Sequence, residues 1–175
     1  MLSHYKYTDK EVDKLCKSIV VLIDTREKQS HVADWLDSKK ISWENRTLKQ
    51  GDYSFYLPEN PELGIDRDYY FDREIMVERK HGLDEIAGNF TTNRARFEEE
   101  LAMFPGKKYL LLENTTYSDI INNNYRSKLS PKAFLATLHT FNHRYGLEVT
   151  YMPNNQHSGA WIYGTFIYYL KNLLH

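Results

Sequence analysis

The sequence predicts a layered α/β domain, a mixed central β-sheet flanked by helices. Short apolar runs such as "SIVVLID" at 18–24 and "KKYLLLE" at 107–113 read as buried strands. Between them lie stretches with helical apolar spacing and recognisable caps. Strands that alternate with helices in this way build a sheet covered by helices.

The elements follow in order. "TDKEVDKLCK" (8–17) predicts a short helix capped by Thr8 or Asp9. The 18–24 strand stops at Asp24. "HVADWLDSKK" places Val32, Trp35 and Leu36 at helical spacing. "ISWENRTL" (41–48) and "DYSFYL" (52–57) read as strands with Gly51 at the turn. Residues 58–73, "PENPELGIDRDYYFDR", are expected to be a polar connection, a long hairpin tip or mobile loop. "EIMVERK" (74–80) is the next strand, and 83–103 reads as helix in two pieces. After the 107–113 strand, "SPKAFLATLHTFNHRYG" has Ser130 as N-cap, Pro131 in the first turn and Gly146 as the stop. "LEVTYM" (147–152) is a last strand and 158–174 a closing helix. No repeat or linker divides the chain, so one domain is expected.

The 175 residues suffice for a sizeable core. With one cysteine, Cys16, no internal disulfide can form, which fits a reducing compartment. No apolar run approaches the roughly 20 residues of a membrane span, and the N-terminus carries no apolar signal region. The net charge of −1 excludes a generally basic, nucleic-acid-coating protein. Any nucleic-acid contact must come from local patches.

Strand alternation puts Met76, Glu78 and Lys80 on one face and Ile75, Val77 and Arg79 on the other. A carboxylate and an ammonium therefore share a face. Two further acids sit at strand ends, Asp24 and Asp52, where loops build sites. Three carboxylates with a lysine suit metal-assisted phosphodiester hydrolysis. Mg²⁺ takes oxygen ligands, neutralises the anionic diester and acidifies a bound water. The lysine orients that water or meets the developing charge. Each residue in isolation has an ordinary reading too: a turn at Asp24 or Gly51-Asp52, a surface ion pair at Glu78 and Lys80, a helix-start acid at Asp84. His139 and His143 stand four apart on a helix, but "HTFNH" lacks the zinc-protease pattern, so a solvated or DNA-facing edge is expected.

"IDTRE" at 23–27, "GDY" at 51–53 and "ERKHGLD" at 78–84 together resemble the signature of the XPF-type structure-specific nucleases. That family is a branch of the PD-(D/E)XK, restriction-endonuclease-like superfamily. The resemblance spans about residues 19–174. It implies a Mg²⁺- or Mn²⁺-dependent endodeoxyribonuclease that leaves 5′-phosphates, acts on flap, fork or junction DNA and serves repair or recombination. By the same resemblance Asp24, Asp52 and Glu78 are metal-site acids and Lys80 is the catalytic lysine. Arg26, Glu27, Arg79 and Asp84 match further signature positions, Arg26 as a phosphate contact and Asp84 as an organiser of the Lys80 region. Expected DNA contacts are Arg26, Lys28, Arg79, Arg94, Arg96, Lys107, Lys108 and Arg144. A nuclease domain over 19–175 is expected behind a helical extension at 1–18.

The family's tandem helix-hairpin-helix module has no counterpart before His175, so a standalone nuclease domain is expected, in the cytoplasm of a bacterial or phage-infected cell or elsewhere inside a cell. The broad apolar girth of 158–174 suits either a helix buried on two sides or a homodimer interface, the family's habit. The competing functional expectations are an inert DNA-binding or scaffold subunit and a sequence-specific restriction or homing endonuclease.

Overall fold

The computed structural model describes residues 6–175. The described residues form two compact units, 6–75 with 159–175 and 76–158. Both mix helix and strand, as the sequence predicts.

In the first unit, helix α1 (Asp9–Ser18) starts at Thr8, whose side chain and Glu11 cap each other's backbone N–H groups. Strand β1 (Val20–Asp24) follows, then α2 (His31–Ser38) and β2 (Trp43–Arg46). β1 and β2 pair in parallel, from Val21 opposite Trp43 to Asp24 opposite Arg46. Helix α2 is the crossover that a parallel pair requires. β3 (Tyr53–Leu57) lies antiparallel on the other side of β1, with Ile23 opposite Tyr53. The turn into β3 needs a left-handed residue, and Gly51 supplies it at φ 77°.

The 58–73 connection is more structured than its polarity suggests. A 3₁₀ turn (Pro61–Leu63), a bridge between Asn60 and Ile65, and the two-residue strand β4 (Tyr69–Tyr70) paired to β3 organise it. Phe71 is fully buried and stacks on Phe55 at 4.4 Å. Two apolar anchors, Ile65 and Phe71, are enough to fold a segment that otherwise reads as solvent-facing. The hairpin expectation holds and the bare polar connection is corrected.

Helix α7 (Ser158–Leu174) closes this unit with a stripe of Ile162, Phe166, Leu170 and Leu174, all buried. Phe166 meets Phe55 at 5.1 Å. At Gly159 a Cβ would stand 2.8 Å from the Trp35 side chain, so only glycine allows that approach.

The second unit carries most of β5 (Ile75–Lys80), then α3 (Leu83–Phe90), α4 (Arg94–Met103), β6 (Lys107–Glu113), α5 (Tyr117–Ile121), α6 (Pro131–Tyr145) and β7 (Leu147–Met152). β5 neighbours β6, and β6 pairs in parallel with β7 from Lys108 opposite Leu147 onward. Phe90 is the core's hub, meeting Phe134 and Phe141 edge-on at 5.4 Å each. The sequence reading missed α5, a five-residue helix with a Thr116–Asp119 capping box, and the short β4.

Phe71→Ala should cost about 3–5 kcal/mol of folding stability, while Arg67→Ala, an exposed change in the same segment, should stay within about 0.5 kcal/mol. Urea denaturation of both variants measures the difference.

Candidate functional site

In the first unit the acids cluster where β1 ends and β3 begins. The Asp24 N–H donates to Asp52 O at 2.8 Å, so backbone pairing sets the two acidic residues side by side. The Asp24 side chain is 1% exposed. Its Oδ1 accepts from Arg26 N (2.8 Å) and Nε (2.7 Å), and its Oδ2 from Leu48 N (2.7 Å) and Arg26 Nη2 (3.2 Å). Burial raises its pKa, yet the Arg26 and Leu48 hydrogen bonds outweigh that and hold the carboxyl below its usual range. Arg26 also donates to Leu48 O at 2.9 Å. One carboxylate thus ties the residue two positions on to a loop 24 residues away. Glu27 accepts from Tyr53 Oη at 3.1 Å and from Gln29 N at 3.0 Å.

In the second unit β5 divides its charged residues as alternation predicts. Glu78 and Lys80 form an ion pair at 2.8 Å with side chains 16% and 12% exposed. Glu85 reaches Lys80 at 3.9 Å. Arg79, between them, is 7% exposed and bonds the fully buried Glu113 at 2.9 Å. Ser158 donates to the other Glu113 oxygen at 2.6 Å. Asp84 Oδ1 accepts the N–H groups of Arg126 and Ser127 at 2.8 and 2.9 Å. Burial raises its pKa, but these bonds and the Arg126 charge bring it below the usual value.

The cationic set separates by burial. Arg79 and Lys108, expected as DNA contacts, are both buried. Lys108 is buried, its Nζ donates to Gly106 O at 3.2 Å, and burial lowers its pKa. Each shares a strand face with buried aliphatic residues, Arg79 with Val77 and Lys108 with Leu110. Arg94 is half-buried between Glu98 and the Phe141 ring. Arg96 and Arg144 are solvent-facing and pair with Glu100 and the partly buried Glu98, and Lys28 and Lys107 are exposed. Sequence reasoning missed Glu113 as the partner of Arg79. An acid closing the apolar run "YLLLE" was its only signal.

Among the described residues no group of three or more His, Cys, Asp or Glu side chains is arranged to hold a metal ion. His139 instead meets Tyr117 Oη at 3.3 Å. By donor type Asp52 and Glu78 suit a hard divalent cation. Asp24 does not as it stands, because four donors already occupy its two oxygens.

The model of the ERCC4 domain matches residues 23–165. The chain therefore belongs to the ERCC4 domain family. Its fold matches XPF from Aeropyrum pernix in complex with DNA, with TM-score 0.63 and 18% identity over 87% of this chain and 66% of that one. A second XPF structure from Aeropyrum pernix matches with TM-score 0.58 and 18% identity, over 88% of this chain and 60% of the other. The chain thus spans about two thirds or less of those proteins. No curated protein sequence matches it. Among the described residues no helix is long and apolar enough to cross a membrane.

Asp24→Asn should destabilise the fold at neutral pH by about 1–3 kcal/mol, the range for hydrogen bonds to a charged group. The folded pKa lies below the unfolded value of about 3.9, so the Asp24 contribution is complete above that pH and lost as pH falls through the folded value. The gap between wild type and variant should therefore narrow in acid, as read by urea melts from neutral pH down to about pH 2.

Proposed function

We propose that the chain is a divalent-metal-dependent DNA endonuclease that cuts flap, fork or junction DNA in repair or recombination. The observation that carries this reading is the Glu78–Lys80 pair, held on the face of β5 opposite the buried Arg79, within a segment matched to a structure-specific nuclease family. The related Aeropyrum protein is in complex with DNA, which supports DNA as the substrate.

Asp52 and Glu78 are each assigned to divalent-metal binding by the family resemblance, with Lys80 as the catalytic lysine. The ion would neutralise the diester and lower the pKa of the attacking water. Lys80, paired with Glu78 and 3.9 Å from Glu85, orients that water and meets negative charge as it develops on the phosphate. Arg26, gripped by Asp24, is a fixed guanidinium for a phosphate oxygen. Asp24 then acts as a positioning residue. Exposed Lys28, Arg96, Lys107 and Arg144 add phosphate contacts, and binding should weaken with salt. Residues 1–18 are read as an extension to the nuclease domain at 19–175. Pairing of two copies through α7 belongs to the same reading, and the exposed Tyr168 lies on that helix.

One observation favours a second reading, an inert DNA-binding or scaffold subunit: no three-donor group stands ready for an ion among the described residues. Cleavage of a labelled panel (duplex, single strand, 3′ flap, fork, four-way junction) with Mg²⁺ or Mn²⁺ separates them. The nuclease reading expects branched DNA to be cut and Glu78→Ala and Asp52→Ala each to lose about a hundredfold or more, close to 2.7 kcal/mol of barrier. Binding without cleavage of any substrate, and no carboxylate-dependent ion binding by calorimetry, would establish the second.

A further inference from the structure

A cavity of about 350 Å³ opens in the second unit directly after Lys80, lined by His81, Asp84, Asn114, Asp119, Asn124, Tyr125 and neighbours. It falls at the small end of ligand sites, which run to roughly 1,000 Å³, so it suits one small group and not a duplex. Its walls are braced. Asp84 holds the N–H groups of Arg126 and Ser127. Asn114, in the left-handed region at φ 54°, donates to His81 O at 2.9 Å and ties the end of β6 to the end of β5. The Tyr125 hydroxyl is anchored to Leu129 O, and its ring packs against Phe134 at 5.1 Å.

The lining chemistry selects the ligand. Asp84, Glu85 and Asp119 face only one guanidinium in the lining, Arg126, so the interior repels a bare phosphate. These carboxylates are also engaged. Asp119 takes Thr116 N and Oγ1 on one oxygen and Asn124 Nδ2 on the other. Glu85 takes His81 N at 2.6 Å and lies near Lys80. Asn114 and Asn124, both at the exposed mouth of the cavity, spend an amide N–H on His81 O and Asp119 Oδ1. Their carbamoyl oxygens accept no hydrogen bond from any described residue. The cavity thus offers uncharged acceptors beside an aromatic ring, with a guanidinium for an adjoining phosphate.

A neutral, flat group rich in N–H donors fits that combination. Resting on the DNA-nuclease reading, we infer that this cavity receives the amino edge of one unstacked base of the bound strand next to the point of cleavage. A base removed from its stack is read by its polar edge and an aromatic surface. Adenine, cytosine and guanine carry exocyclic amines, and thymine carries none.

The test uses the full chain and fork DNA carrying 2-aminopurine at successive positions along one strand, with Ca²⁺ in place of Mg²⁺. Binding is read by anisotropy and unstacking by fluorescence. One position should brighten about threefold or more, as an extruded base does. Asn124→Leu should abolish that rise with DNA affinity within about twofold, because the phosphate contacts remain. Asn114→Gly, which suits its positive φ and removes the second acceptor, should weaken the rise as well. Bound DNA with no bright position, or a rise unchanged in both variants, overturns the cavity assignment and leaves the nuclease reading standing. No binding to any DNA overturns the nuclease reading and the cavity with it.

Discussion

The buried pair of Arg79 and Glu113 decides which way the end of β5 faces. A guanidinium sunk among aliphatic side chains is tolerated only against a partner that satisfies it, and loss of one partner is far costlier than loss of both. Glu113, itself held by Ser158, is that partner. A shift of β5 by one residue would part Arg79 from Glu113 and leave both charges buried without a partner, so the pair fixes register as well as packing. The half-buried ion pair of Glu78 and Lys80 on the other face is the consequence.

The first unit solves a similar problem with a single carboxylate. Asp24 is buried at the end of an apolar strand, where an isolated charge would neutralise. Four hydrogen bonds keep it ionised, and they come from two separate segments, the 25–27 turn and Leu48. The same bonds aim the Arg26 guanidinium. A residue that reads from sequence as a metal ligand is here held in a clamp of four hydrogen bonds.

Much of this was legible in the sequence, for identifiable reasons. Apolar runs marked β1, β5 and β6, and the Ser130 and Gly146 signals bounded α6 to the residue. Period two sorted Glu78 and Lys80 from Arg79. The same rule places Arg79 with Val77 and Lys108 with Leu110, and both cations are buried there. Helix α5 and strand β4 are too short for periodicity to register. The saturation of Asp24 depends on a backbone N–H donated by Leu48, a contact no local pattern encodes. Phe71 is a buried anchor within a charged stretch, and its role emerges only once β4 is seen paired to β3.

The central claim is that adjacent cations on β5 divide between chemistry and architecture, and it is tested by comparing Lys80→Met with Arg79→Met for both thermal unfolding and cleavage of fork DNA. The account predicts that Lys80→Met keeps a melting temperature near wild type and loses cleavage, whereas Arg79→Met loses about 3–5 kcal/mol of stability, as expected when one partner of a buried pair is removed. A Lys80→Met protein that cuts normally, or an Arg79→Met protein of unchanged stability, would contradict it.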